Sequence, residues 1–474
     1  MSLASRATLL NKTIIGARAL KTISQCRSYA KAESNDRHSI ISNDEKVNLV
    51  DKTIGYILSR NARAQPYANA FRSPQQKDAQ YTNVELKKYA EAIACGFVEL
   101  GLRIGDRVGV IQNATAEQFL VQLACAKVGA IAAQFTDIKN AKDLTRYLDL
   151  FRPNMLVMPS KASKVDYYRL VLEAFPELNT QDYPEEIMYV QPIKTKRFPF
   201  LKQIFFTDRV SEPIPGTYHI QDAHVYGPFG YYESPLRRIA LKINVNNPAF
   251  ITLESSLDKG KNIVWTQSNV LNAANICVEA ANIKFGDVVF VAGYQNSAFG
   301  LISNYAAFLA NATLVYPCEE FDAAKVMDHI QTEKCTVLFV RSKDADALMS
   351  YPDDVDISSV RAIFTDAETE DVKNNLKRKF TNAQVKSIHG LDTLGGLAML
   401  DGNTVPGTQI KITRNLDDRI VHKDTFGDVR VRGQSISSQH WNDIGLMNAD
   451  VDEDGWVKTG RMGKVDDKNK LQVQ

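Results

Sequence analysis

The sequence predicts an α/β protein: two helix-covered, largely parallel sheets followed by a small distorted β-barrel. Three observations predict it. Residues 83–135 alternate an amphipathic helix, a short apolar strand, a second helix and another strand. Residues 246–400 resume the same alternation after a long irregular interval. From residue 405 onward helical periodicity disappears and short strands take over. Alternation of strands with helices implies parallel sheets covered by crossover helices.

The elements follow in order. In residues 83–100 (NVELKKYAEAIACGFVEL), Leu86, Ala90, Ile93, Phe97 and Leu100 keep one helical face apolar. Thr82 is the expected cap, Glu85 completes a capping box, and Gly101 stops the helix. GDRVGVIQ (105–112) reads as a buried strand. Residues 115–128 form a second helix stopped by Gly129, and strands follow at 130–135 and 155–158. Residues 161–245 hold eight prolines and many aromatics. They read as a long covering excursion around one strand, LKQIFFT (201–207). Further on, VVFVAGY (288–294), ATLVYP (312–317) and RAIFTDA (361–367) are strands. Residues 300–310 are a helix, and 321–340 are a helix then a strand. The final β region contains PGTQIKITR, GDVRVRG (427–433), DGWVKTG (454–460) and LQVQ.

The chain has 474 residues, 44% hydrophobic and 24% charged, enough apolar material for large cores. No run approaches the roughly 18 consecutive apolar residues of a membrane-spanning helix. Any membrane association is therefore expected to be peripheral, through partners. The net charge of +2 is concentrated at the start. Residues 1–29 carry Arg6, Lys12, Arg18, Lys21 and Arg27 and no acid, while the remainder is near neutral. That excludes an electrostatic footprint for nucleic acid. Leu9, Leu10, Ile14, Ala17 and Leu20 fall near helical spacing among these cations, as in a mitochondrial presequence, and Arg27-Ser28-Tyr29 precedes Ala30 like a matrix-protease site. The expected organisation is a presequence (1–29), a polar lead-in (30–46), a first α/β subdomain (47–245), a second (246–404) and a small β subdomain (405–474). Cys26, Cys95, Cys125, Cys277, Cys318 and Cys335 form no C-x-x-C pair. Such dispersal fits a reducing matrix and argues against disulfides or a zinc site.

Several ordered motifs resemble one family. Tyr81-Thr82-x-x-Glu85-Leu86, Leu100-Gly101-Leu102-x-x-Gly105-Asp106-Arg107-Val108, Asn113 and Ala126-Lys127-x-Gly129-Ala130 follow in order and spacing. They resemble the opening of the adenylate-forming enzymes, the superfamily of acyl-CoA synthetases, luciferases and adenylation domains. The resemblance spans roughly 47–474. It implies an acyl-CoA-synthetase-like large domain, in which ATP and a carboxylic acid form an acyl-adenylate that a thiol such as CoA then takes up.

The motifs that would carry that chemistry depart from the family pattern. Residues 248–271 (PAFITLESSLDKGKNIVWTQSNVL) resemble the phosphate loop, Tyr-Thr-Ser-Gly-Thr-Thr-Gly-x-Pro-Lys-Gly followed by Thr-His-x-Asn. Lys261, Ile263, Val264, Thr266 and Asn269 match, and Ser256 is kept. Ser255, Asp258 and Asn262 stand where the family has Gly, and Gly260 where it has Pro. Glycines let backbone N–H groups approach phosphate oxygens without an intervening Cβ. His389-Gly390-Leu391-Asp392-Thr393 resembles the Tyr-Gly-x-Thr-Glu turn, whose Glu supports Mg²⁺. Here Thr393 replaces that Glu, Asp392 is the nearby substitute, and His389 reads as structural rather than as a base. Thr365-Asp366 stands where the family has a Gly-Gly strand end lining the adenine pocket. Gly455-Trp456-Val457-Lys458-Thr459-Gly460-Arg461 places Arg461 where an Asp would accept from the ribose hydroxyls, and Arg only donates. The family's hinge and C-terminal lid would follow Gln474.

The resemblance and these departures imply no catalytic residue and no metal site. They leave Ser256, Lys261, Gly390 and Asp392 as vestiges of nucleotide binding. The expectation is a non-catalytic, acyl-CoA-synthetase-like accessory subunit of a mitochondrial multiprotein complex, in the matrix or on the matrix face of the inner membrane. Its partners would be other proteins and it would need no cofactor. One alternative is a divergent mitochondrial acid–CoA ligase using ATP, Mg²⁺ and CoA. The other is a regulatory module that holds nucleotide, acyl group or CoA without turnover.

Overall fold

The computed structural model describes residues 37–45, 48–77, 79–111, 114–162, 165–180, 192–211, 214–225, 235–253, 262–291, 296–318, 321–352, 355–367, 369–415, 417–442, 445–448 and 451–473. The expected presequence lies outside them. The chain divides into two compact units: residues 43–408 with 433–449, and residues 1–42 with 409–432 and 450–474.

The larger unit contains two nine-stranded mixed sheets. The first runs Thr217–His219, Gln203–Phe206, Met155–Met158, Arg107–Val110, Ile131–Gln134, Pro248–Leu253, Asn262–Thr266, Gln439–Asn442, Gly445–Asn448. Its first six strands are parallel and its last three antiparallel. The second runs Asn403–Thr404, Met399–Leu400, Gln384–His389, Ala362–Thr365, Val337–Phe339, Val288–Val291, Thr313–Val315, Asn69–Ser73, Ala79–Thr82. Parallel pairing extends from Gln384–His389 to Asn69–Ser73, with antiparallel strands at both edges. Strands distant in sequence thus share a sheet.

The cores follow from strand periodicity. In the second sheet Val289, Val291, Val337, Phe339, Ala362 and Phe364 face one core. Phe290, Leu338 and Ile363 face another, against helices Ala323–Thr332, Ser342–Met349 and Glu370–Lys379. The largest core also takes Val108, Val110, Ala132 and Phe250 from the first sheet, so it is shared by both sheets. Helices Asn83–Glu99, Ala116–Val128, Gln267–Ala281 and Ala298–Ala310 contribute to it. Ala116–Val128 and Ala298–Ala310 are buried nearly all round, which explains why their amphipathic signal is weak.

The capping expectations hold. Thr82 and Glu85 form the reciprocal box, with Thr82 N–H donating to Glu85 Oε2 at 2.9 Å. Gly129 ends its helix at φ 78°. The interval 161–245 contains the expected strand, as Gln203–Phe206, but more structure than expected. The unexpected elements include the helix Tyr167–Ala174 and the strand Thr217–His219, which pairs with Gln203–Phe206 at the edge of the first sheet. These elements are too short for a periodic signal, and the prolines between them obscure it.

One ion pair ties three elements of the second sheet. Arg361 meets Asp287 at 2.7 Å and donates to the Ala281 and Asn282 carbonyls at the end of helix Gln267–Ala281. Burial alone would raise the Asp287 pKa. Bonds from Arg361, the Lys284 N–H and Thr336 outweigh it and hold the carboxyl below its ordinary value. A depressed acid contributes stability above its unfolded pKa of about 3.9 and loses it as pH falls through the folded value. Asp287→Ala leaves Arg361 without its charge partner, an expected cost of about 3 kcal/mol in urea unfolding at pH 7. That cost should shrink as pH drops below about 4.

The smaller unit is a partial half-barrel of five antiparallel strands: Ile40–Ser42, Gln409–Thr413, Gly427–Arg432, Val457–Val465, Leu471–Val473. The Trp456 ring lies 4.3 Å from the Lys411 ammonium and 4.4 Å from the Arg432 guanidinium.

Candidate active site

The hairpin that resembles the phosphate loop is formed at both ends. Pro248–Leu253 pairs antiparallel with Asn262–Thr266, with Leu253 opposite Asn262. Ser255, Ser256, Asp258 and Lys261 lie outside the described residues. Asn262 is buried and donates from Nδ2 to the Trp441 carbonyl at 2.9 Å, which anchors the hairpin to the neighbouring strand. Thr266 and Asn269, two motif matches, form the capping box of helix Gln267–Ala281. Asn269 Nδ2 also donates to the Gln434 and Ile436 carbonyls. The matched tail of the motif thus has a folding reason of its own.

Charged groups gather at the carboxyl ends of the second sheet's parallel strands, where α/β proteins place ligands. Arg341 follows Val337–Phe339, Asp366 follows Ala362–Thr365, and Asp392 follows Gln384–His389. Arg341 Nε is 2.6 Å from Asp366 Oδ2, and its guanidinium lies 5.7 Å from the Phe299 ring. Asp366 Oδ1 accepts the Ser342 N–H at 2.6 Å, so the carboxylate is held against the strand ends. Burial drives the Asp392 carboxyl up to about 6; nearby Arg341 opposes the shift and Asp366 adds to it. Asp392 is thus an acid that titrates close to neutrality beside a guanidinium.

Gly390 makes this placement. Its φ is 95°, and a Cβ there would sit 2.9 Å from both Ala398 Cβ and the Gly396 carbonyl oxygen. The Gly390 carbonyl accepts from the Leu394 and Gly396 N–H groups, closing the turn that carries Asp392 and Thr393. His389 is the last residue of its strand and its carbonyl accepts the Ala398 N–H. Arg461 belongs to the smaller unit, in Val457–Val465, where its N–H donates to Thr459 Oγ1. The structure therefore brings Asp366, Gly390, Asp392 and Thr393 to one sheet end. Sequence reading missed Arg341, whose only signal was its place just beyond an apolar strand.

Residues 58–207 match the AMP-binding enzyme family. The chain is 23% identical to a Bacillus subtilis protein named as an acyl-CoA synthetase, YngI, covering 88% of this chain and 78% of the relative. It is also 23% identical to the human medium-chain acyl-CoA ligase ACSF2, named as mitochondrial, over 90% of this chain and 72% of the relative. Among solved structures, the N-terminal domain of FACL13 from Mycobacterium tuberculosis superposes with a TM-score of 0.69 at 17% identity, covering 89% of this chain and 99% of that one. The fold is thus that of acyl-CoA ligase N-terminal domains. These findings correct the expected non-catalytic accessory subunit. Relatives matching nearly the whole chain are named as synthetases and ligases, which favours the ligase alternative.

Proposed function

We propose that this protein is an ATP-dependent carboxylic acid–CoA ligase of the mitochondrial matrix. Similarity to named acyl-CoA ligases over about nine-tenths of the chain carries the reading. The charged cluster at the strand ends gives it a place to act. The basic residues 1–29 and the mitochondrial relatives support the location.

In the proposed reaction an acid oxygen attacks the α-phosphorus of ATP and expels pyrophosphate. The CoA thiol then attacks the acyl carbon and expels AMP, giving acyl-CoA. Arg341 is the group suited to hold a carboxylate or phosphate oxygen, because its planar fork matches both. Asp366 neutralises it in the absence of substrate. No cluster of three or more metal-ligating side chains occurs among the described residues. Mg²⁺ fits nonetheless as a companion of ATP, since it commonly takes one or two carboxylates and completes its shell with phosphates and water. Asp392 would supply that carboxylate once ionised. Ser256 and Lys261 are the proposed phosphate-facing pair, and the Gly390 turn holds Asp392 in place.

The test is acid-dependent exchange of labelled pyrophosphate into ATP by the purified full chain, with acyl-CoA followed by mass spectrometry. Exchange that appears only when a carboxylic acid is added supports the proposal. No exchange with any acid at millimolar Mg-ATP rejects it.

A further inference from the structure

Residues 37–42 meet the half-barrel through a pair of histidines. His38 and His422 face each other as an isolated antiparallel bridge, and both belong to the smaller unit. Their ring centroids lie 5.6 Å apart, with 31° between the planes. His422 is exposed and His38 half-buried, so the pair is open to solvent and needs no cavity.

Backbone bonds on both sides fix the two positions. The Ser39 N–H donates to the Val421 carbonyl at 2.9 Å, and the Lys423 N–H to the Arg37 carbonyl at 3.0 Å. The Ser39 hydroxyl donates to the His422 carbonyl at 2.9 Å. On the other flank, Ile40–Ser42 pairs with Gln409–Thr413. One ring is oriented as well. His422 Nδ1 lies 3.3 Å from the Arg37 carbonyl oxygen. A carbonyl only accepts, so Nδ1 carries the proton and Nε2 is left with the lone pair. Metal-binding histidines are commonly set in this way, by a bond from the other ring nitrogen to a backbone carbonyl.

We propose that His38 and His422 together take a borderline divalent transition-metal ion, of the zinc or copper class, which clips residues 37–42 to the half-barrel. Imidazole is the ligand these ions share. With metal–nitrogen bonds of about 2.0–2.1 Å, two imidazoles on one tetrahedral ion hold their ring centroids about 5 Å apart, a spacing that small side-chain rotations reach from the present one. No cluster of three or more His, Cys, Asp or Glu side chains forms among the described residues, so water fills the other positions and the ion is exchangeable. His422 and Arg37 are 385 residues apart in sequence, so the ion closes a long loop, the arrangement in which a clip restrains the chain most. The proposal does not depend on the ligase reading.

The Arg37–His38 bond is itself a trypsin site, which becomes cleavable when the segment lets go. The experiment follows its cleavage in the full chain by mass spectrometry, with and without Zn²⁺, beside calorimetric titration of Zn²⁺ alone. The comparison variant is His422→Asn. Its amide still donates to the Arg37 carbonyl but offers no nitrogen lone pair to a metal. His422 is exposed, so the variant should fold. An ion that binds only the closed form lowers the open fraction by the factor 1 + [Zn²⁺]/Kd. The native bond should therefore be cut about tenfold more slowly at Zn²⁺ ten times its Kd. The variant should be cut at one rate with and without Zn²⁺, and should lack the corresponding heat. A native rate that ignores Zn²⁺, or equal binding and protection in the variant, overturns the proposal and leaves two packed rings.

Discussion

Replacing Asp392 by Asn is expected to make the protein more stable and less active at pH 8. The carboxyl has a folded pKa of about 6 because burial opposes its charge more than Arg341 favours it. A folded pKa raised above the unfolded value contributes stability that is full below about pH 3.9 and lost as pH rises through about 6. At neutral pH the folded state therefore carries a disfavoured charge. A shift of about two pKa units corresponds to roughly 2–3 kcal/mol, an upper bound for what Asn could recover. With Asp392 as the proposed Mg²⁺ carboxylate, its loss should at the same time lower the rate by about 10²–10³. Thermal unfolding at pH 5 and pH 8 and the pH profile of pyrophosphate exchange check both halves. The native rate should rise through pH 6 and the variant's should not. A variant less stable at pH 8, or equally active, would remove Asp392 from the site.

The largest stability loss is expected at Gly96. This glycine lies within the helix Asn83–Glu99, where Ala would ordinarily gain up to about 1 kcal/mol. An added Cβ, however, would lie 1.6 Å from the Ala223 carbonyl oxygen and 2.7 Å from its carbonyl carbon. Those are backbone atoms of the 3₁₀ turn Ile220–Ala223, so the helix and the turn must separate. Gly96→Ala should cost about 3 kcal/mol or more, at the high end of overpacking effects. Gly55, in the helix Ile54–Ala64, is the control. Its added Cβ would meet only Lys127 Cγ, at 3.4 Å. Gly55→Ala should be neutral or stabilising by up to about 1 kcal/mol. Urea unfolding of both variants decides it, and a Gly96→Ala protein as stable as the native one would refute the close packing.

The two glycines show why part of the fold was legible in the sequence and part was not. Both occur in helical patterns and look alike in sequence. Only the second chain segment, more than a hundred residues away, distinguishes Gly96. The same holds for Arg341 and Asp366. Asp366 was visible as a side chain where the related family has Gly, but the ion pair with Arg341 joins two separate strand ends. The buried polar residues of helices Ala116–Val128 and Ala298–Ala310 were hidden differently. Gln118, Gln122 and Asn304 look like ordinary surface polar residues until both helices are found buried all round.

What the sequence determined by itself was local. The Thr82–Glu85 capping box, the stop at Gly129 and the strand runs at 155–158 and 288–291 each follow from hydrogen bonds or steric limits among neighbouring residues. The α/β class follows from their alternation. Only the tertiary structure decided which strands share a sheet, as when Asn69–Ser73 pairs with Thr313–Val315, or Pro248–Leu253 with Ile131–Gln134. It also decided that Arg341 and Asp366 pair, close enough to Asp392 to act on its charge. The physical reason is that burial and charge proximity depend on which distant segments pack together. Desolvation moves the Asp392 pKa, and that effect does not exist until the core has closed around it.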